Sequence, residues 1–398
     1  MISLRNLFLQ HVAQTSESPI GIEVERAEGI FIYDYSGKGY LDLISGISVS
    51  SIGHGNPKVI NAVKTQAERY LHLMVYGEYI QAPQVEYAKA LTDRLPKSLS
   101  QVYFVNSGSE ANEGALKLAK RYNGRTELVG FVKAYHGSTH GALSMMGDEE
   151  FKNAFRPLLP DTRHLPFNDI ESLNQITTRT AAVLVEPIQG EAGAIVPSPD
   201  FLVALRNRCN ETGALLIFDE VQTGFGRTGS LFAFQKLGVV PDIFTIAKGM
   251  GGGMPIGAFV SSMEIMQCLK SNPILGHITT FGGHPVSCAA ALATLNVLIE
   301  NSCIEEVESK ELQFRQLLVH PFIKEIRGVG LLLAVELGDA ALVQQLIKGC
   351  FSRGVIVDWF LFCDTAFRIA PPLIITKEQI AMACKAIIES LDEIDLHL

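Results

Sequence analysis

The chain has 398 residues, 47% of them hydrophobic and 19% charged, enough apolar material for two or three packed units at roughly 100–200 residues each and too much for a disordered chain. Lys+Arg 33 against Asp+Glu 42 gives a net charge of −9 with no Lys/Arg-rich run, which argues against nucleic-acid binding because phosphate neutralisation needs a basic surface. Seven cysteines, odd in number and never spaced as C-x-x-C, argue against a disulfide framework or a structural zinc site, and no apolar run reaches 18 residues, so the expectation is reduced thiols in the cytoplasm, no metal and no membrane.

Residues 29–33 and 39–43 read as two short strands around the turn-rich Tyr35-Ser36-Gly37-Lys38. Such a hairpin is too small to stand alone, so segment 1–50 is expected to pack with the C-terminal region. From residue 101 onward, short apolar, β-branched runs at 101–105, 127–131, 181–185, 214–218, 243–246 and 256–260 alternate with helix-length amphipathic stretches at 111–122, 199–212 and 286–300. This is the pattern of an α/β unit on a largely parallel sheet. Near residue 300 the character changes: 304–318 and 340–353 read as amphipathic helices, 330–337 as a strand, and 377–394 as a terminal helix with Thr376 as N-cap. The expected division is therefore 1–50, a large unit at 51–299 and a smaller unit at 300–398, without internal repeats.

Chemistry concentrates at two strand ends. Leu215-Leu216-Ile217-Phe218-Asp219 places a carboxylate at the carboxyl end of a buried strand, and Ile243-Phe244-Thr245-Ile246-Ala247-Lys248 places an amine after the next one, ahead of a glycine-rich stretch. Open α/β sheets put their ligands at such ends. Alone, the aspartate is as readily a loop anchor and the lysine a surface charge; together they point to a site. Pyridoxal phosphate chemistry needs this pair, a lysine amine for the aldehyde and a carboxylate that keeps the pyridine nitrogen protonated. Asn106-Ser107-Gly108-Ser109-Glu110-Ala111-Asn112, where a strand turns into a helix, offers hydroxyls and free amides to a phosphate, or equally an ordinary helix cap.

Four other patterns fail. Gly224-Phe225-Gly226-Arg227-Thr228-Gly229 fits G-x-G-x-x-G, but the stretch after it is too short for the helix a dinucleotide site requires. His136 and His140 have i, i+4 spacing with glycine where a zinc protease motif needs glutamate. No nucleotide-binding P-loop and no G-x-S-x-G occurs.

The run Phe218-Asp219-Glu220-Val221-Gln222-Thr223-Gly224-Phe225-Gly226-Arg227-Thr228-Gly229 with Lys248-Gly249 downstream closely resembles the signature of class III pyridoxal-phosphate aminotransferases, the acetylornithine/ornithine group in particular. Gly53–Pro57, Asn106–Asn112, Tyr135-His136-Gly137, Glu186–Glu191, Thr280–Gly283 and Phe367–Pro372 match as well, in the family's order. The resemblance implies fold type I, a large domain with a mostly parallel seven-stranded sheet plus a smaller α/β domain. It implies pyridoxal 5′-phosphate as cofactor, with Lys248 as Schiff-base lysine and Asp219 as pyridinium partner. Ser107, Gly108 and Ser109 resemble the phosphate cup, Tyr135 and Val221 the contacts on the two ring faces, and Gln222 a partner of the phenolic oxygen. Thr280 resembles the residue that reaches the neighbouring subunit's phosphate, which implies a homodimer with sites at its interface. Arg368 resembles the arginine that grips the acceptor's carboxylate, and Glu191 the acid that covers it while the donor is bound.

The activity so implied is transamination of an ω-amino donor, acetylornithine- or ornithine-like, with 2-oxoglutarate as acceptor and glutamate as product. The alternatives are another ω-amino acid donor (4-aminobutyrate, lysine), or a racemase, decarboxylase or aminomutase on the same fold. Two positions depart from the pattern: Ser138 follows His136-Gly137 where acetylornithine-type members carry arginine, and Ile47 stands where ornithine-specific members carry tyrosine. Trp359, Phe360 and Phe362 read either as a donor-pocket wall or as an apolar strand of the smaller domain.

Overall fold

A computed structural model of the chain describes residues 3–394; residues 1–2 and 395–398, the outer ends of the first and last expected units, lie outside them. Near the N-terminus β1 (Val24–Glu28), β2 (Phe31–Asp34) and β3 (Gly39–Asp42) form an antiparallel ribbon. The turn at 35–38 closes it as its residues dictate: Asp34 Oδ1 accepts from the amides of Ser36 (2.9 Å) and Lys38 (3.1 Å), and Gly37 takes φ +82°.

The main sheet has seven strands: β4 (Gln101–Val105), β5 (Glu127–Phe131), β6 (Thr162–Leu165), β7 (Thr180–Val185), β8 (Leu215–Asp219), β9 (Ile243–Ile246) and β10 (Gly257–Ser261). Their spatial order is β4-β10-β9-β8-β7-β5-β6. All contacts from β6 to β9 are parallel, and only β10 runs antiparallel to its neighbours β9 and β4. The expected fold class is thus observed. Strands β5, β7, β8, β9 and β10 are buried at every position, which is why they read as unbroken apolar runs rather than as alternation. Strand β6, Thr-Arg-His-Leu at the sheet edge, has no such run and was not anticipated.

Helices Gly108–Asn123, Phe201–Thr212 and Pro285–Glu300 stand where amphipathic stretches were expected, with boundaries moved by a few residues. The first begins three residues early because Ser107 caps it, its hydroxyl accepting from the Glu110 amide at 3.1 Å. This helix lies very close to β10: a Cβ on Gly114 would stand 2.3 Å from the ring of Phe259.

Beyond residue 300, β11 (Glu325–Val329), β12 (Leu332–Glu336), β14 (Asp358–Phe360) and β15 (Cys363–Ile369) form an antiparallel sheet in the order β11-β12-β15-β14. Between them β13 (Val355–Ile356) leaves that sheet and pairs in parallel with β3, through Val355–Leu41 and Ile356–Asp42. The single strand expected at 330–337 is therefore the second arm of a hairpin turned at Val329-Gly330-Leu331. Helices Val307–Leu317, Ala340–Ser352 and Lys377–Asp392 cover this region. No helix among the described residues is long and apolar enough to cross a membrane.

Candidate active site

A cavity of about 630 Å³ opens where β8 and β9 end and helix Gly108–Asn123 begins. Ser107, Gly108, Ser109, Tyr135, Asp219, Val221, Gln222 and Lys248 all line it; Glu191, Thr280 and Arg368 do not. The helix start presents free amides to the cavity. Its first-turn amides, Gly108 and Ser109, have no intrahelical acceptor and border the cavity. Glu110 folds back instead to its own entry, taking the Asn106 amide at 2.7 Å. Gly108 has no room for a side chain, since a Cβ would meet Val221 at 2.8 Å. The hydroxyl of Ser109 lies 2.6 Å from that of Thr139, whose proton goes to Glu113 at 2.7 Å.

Asp219, buried at the end of β8, is held from three sides. Its Oδ2 accepts from Asn112 Nδ2 at 2.8 Å and lies 2.7 Å from His136 Nδ1, and its Oδ1 accepts from the Val221 amide at 3.0 Å. Asn112 is itself fixed, donating to the His136 carbonyl (2.8 Å) and accepting from Thr245 Oγ1 (2.7 Å). Asn112 and His136 fall inside sequence motifs without a role of their own, His136 reading only as half of a failed metal pair. Glu186 was likewise missed. It borders the cavity, accepts the amides of Tyr135 (3.1 Å) and Gly190 (2.9 Å), and burial pushes its carboxyl up to about 7, with Asp219 adding to the effect.

Lys248 sits on a single 3-10 turn with φ +46°, a conformation that costs an L-residue roughly 1–3 kcal/mol. Burial lowers its pKa from the usual lysine value, against the pull of the Glu191 carboxylate. Gln222 is pressed over Gly190, where a Cβ would fall 1.7 Å from its Oε1, and its buried Nε2 has no hydrogen-bond partner.

Arg368 on β15 and Glu191, both buried, form an ion pair at 2.7 Å. The guanidinium also lies 4.5 Å from the Phe360 ring centroid and 3.4 Å from Asp358, leaving Nε and Nη1 without a hydrogen bond. Burial alone would raise Glu191, but Arg368 holds its carboxyl below the ordinary value; Asp358, for which burial wins, is pushed up to about 6. Trp359 and Phe360 belong to β14, and Phe362 packs toward Tyr135 with ring centroids 6.4 Å apart. Ser138 is exposed, its hydroxyl 3.3 Å from the Tyr135 hydroxyl. Thr280 lies on an exposed loop.

The arrangement offers an amine with a lowered pKa, a fixed carboxylate, a helix start with two free amides and a buried arginine paired with an acid. The sequence profile of the class III aminotransferases matches residues 12–391. An acetylornithine aminotransferase of Methanocaldococcus jannaschii is 41% identical over 379 residues, covering 92% of each chain, and one of Methanopyrus kandleri is 39% identical over 367 residues, again covering 92% of each. The crystal structure of the ornithine aminotransferase from Toxoplasma gondii ME49 superposes with a TM-score of 0.90 at 31% identity, over 96% of this chain and 93% of that one.

Proposed function

The chain belongs to the class III aminotransferases, and from that premise we propose that it moves the terminal amine of an acetylornithine- or ornithine-like donor onto 2-oxoglutarate, giving glutamate. The cofactor of this aminotransferase is pyridoxal 5′-phosphate, and the cavity suits it: Gln222 Nε2 is a buried donor without a partner, and Gly108 and Ser109, whose first-turn amides have no intrahelical acceptor, border the cavity. When bound, the cofactor supplies an aldehyde that condenses with amines and a ring that takes up electrons as a neighbouring C–H proton leaves.

The residues divide the work. Ser107, Gly108 and Ser109 hold the phosphate, Tyr135 and Val221 cover the two ring faces, and Gln222 donates to the phenolic oxygen. Asp219, held in place by Asn112, His136 and the Val221 amide, holds a proton at the ring nitrogen. Lys248 removes the proton from the donor's amine-bearing carbon and returns it one position away, a role that the lowered pKa favours because a base must be neutral to act. The donor leaves as a carbonyl compound before the acceptor enters, so ping-pong kinetics are expected.

The observation that carries the substrate reading is the buried Arg368–Glu191 pair at 2.7 Å. With the pair closed the pocket is locally neutral and takes a donor arm; when Glu191 turns away, Arg368 presents a fork to the dicarboxylate. The test is the visible absorption spectrum of the holoenzyme on adding N-acetylornithine without acceptor. The cofactor band is expected to bleach and to return on adding 2-oxoglutarate. A band that persists removes this donor and favours another ω-amino acid, as Ser138 in place of a carboxylate-binding arginine would explain. A protein with no band after reconstitution contradicts the enzyme reading itself.

We also read the enzyme as a cytoplasmic homodimer. Ile80 and Ile274 are 94% and 76% exposed, and Leu71 and Phe281 are exposed on the same two segments, 71–80 and 274–281, that include Thr280. A second copy that buried these side chains would cover the Thr280 loop as well, as its reading as the residue that reaches the partner's phosphate requires. Sedimentation at twice the chain mass is expected; a fully active monomer would remove Thr280 from the site.

A further inference from the structure

Arg227 stands on the loop that follows Asp219 and is fully buried. A guanidinium keeps five N–H donors and its charge, so burying one demands acceptors. No carboxylate among the described residues pairs with it; Nη1 donates to the carbonyls of Leu331 (3.0 Å) and Pro371 (2.5 Å), and Nη2 to Ser45 Oγ (3.3 Å). Burial lowers its pKa to about 9. Backbone contacts tighten the junction. The Leu331 amide donates to the Arg227 carbonyl at 2.9 Å, and Gly330, at φ +64°, lies so near that a Cβ would stand 2.5 Å from that oxygen. Ser45 in turn donates to the carbonyl of Ala370 at 2.6 Å.

The positions of these acceptors matter. Leu331 immediately precedes β12, Pro371 follows β15, and Arg368 on β15 is paired across the ladder with Ala334 on β12. One guanidinium therefore ties the entry of one strand to the exit of the other, at the end of the ladder next to Arg368, from a loop that begins at Asp219. A hydrophobic residue of similar size would fill the space; only a planar fork ties three segments in one geometry.

We infer that Arg227 is a positioning residue that sets where Arg368 stands relative to Asp219 and Lys248, and so controls affinity for the acceptor. The inference rests on the reading of Arg368 as the acceptor's anchor. It is tested in enzyme reconstituted with pyridoxamine phosphate, by following the single turnover with 2-oxoglutarate, which needs no donor. Arg227→Lys keeps the charge but not the fork, and is expected to raise the half-saturating 2-oxoglutarate concentration about tenfold; Arg227→Met should raise it by up to ~10², the scale of a small misplacement of a binding group. The limiting rate at saturation and the cofactor content should stay within about threefold of the parent.

A purely structural arginine predicts something else: cofactor content and limiting rate falling together, or an unchanged half-saturation, and either result overturns the inference. If Arg227→Met does not fold, Ser45→Ala is the milder probe, expected to raise half-saturation about threefold, and no change there counts against the inference. Arg368→Leu separates the two readings. If it leaves half-saturation unchanged, the acceptor reading falls and this inference with it; if it raises half-saturation while Arg227→Lys does not, only the inference about Arg227 fails.

Discussion

Lys248→Ala is expected to reduce turnover on the order of 10⁴-fold, since in the proposed reaction it removes at once the covalent anchor and the proton carrier. The geometry explains why no neighbour can substitute. Among the described residues Lys248 is the only lysine or arginine that borders the cavity; Glu186 is engaged with two backbone amides, and His136 is tied through Nδ1 to Asp219 at 2.7 Å, on the Asp219 side of the cavity. The variant should still bind pyridoxal phosphate, because the helix start, Gln222 and Asp219 are untouched, and its thermal midpoint should move little. Added methylamine should restore part of the activity. That rescue requires the neutral amine, so it should climb as pH rises toward the amine's own pKa, whereas the parent, whose buried lysine has a lowered pKa, reaches its plateau at lower pH. Turnover unchanged by Lys248→Ala would contradict the enzyme reading.

The parts of this fold that are plain in the sequence are those with a strong periodic cause. Strands β8 and β9 are apolar on both faces, so they stand out, and Asp219 and Lys248 are visible because each ends one of them. Strand β6 contains Thr162, Arg163, His164 and Leu165 and lies at an edge, where a neighbour on one side only asks for no apolar run. The partners of Asp219 are hidden for another reason. Asn112 and His136 come from a helix and a loop far away in sequence, and only the packing of helix Gly108–Asn123 against the sheet brings them to one carboxylate. Arg227 was hidden most completely: in sequence it is one charge in a glycine-rich stretch, and its burial follows from the carbonyls of Leu331 and Pro371, more than 100 residues later. Polar groups that satisfy one another across the fold leave no pattern along the chain.

Asp219→Asn is expected to lower turnover by about 10³-fold or more while leaving the protein folded. The substitution is nearly isosteric, so its effect reports charge. In the parent, both oxygens accept hydrogen bonds, Oδ1 from the Val221 amide and Oδ2 from Asn112, with His136 Nδ1 also at 2.7 Å from Oδ2. An asparagine can present one oxygen only. If its oxygen takes the Val221 amide, its NH₂ faces the NH₂ of Asn112, and relief comes only from His136 acting as acceptor; one hydrogen bond is lost, worth about 1–3 kcal/mol when the donor is buried. That cost alone does not account for a 10³-fold fall, which needs about 4 kcal/mol of transition-state stabilisation. The excess is assigned to the missing negative charge, which in the proposed reaction would keep a proton on the ring nitrogen while the donor's C–H bond breaks. Asp219→Glu keeps the charge at the wrong length and should recover part of the rate despite greater crowding. The decisive comparison is between turnover and stability in these two variants. If Asp219→Asn retains near-parental turnover, the carboxylate merely anchors the loop at Val221, and the proton at the ring nitrogen must be held by another group.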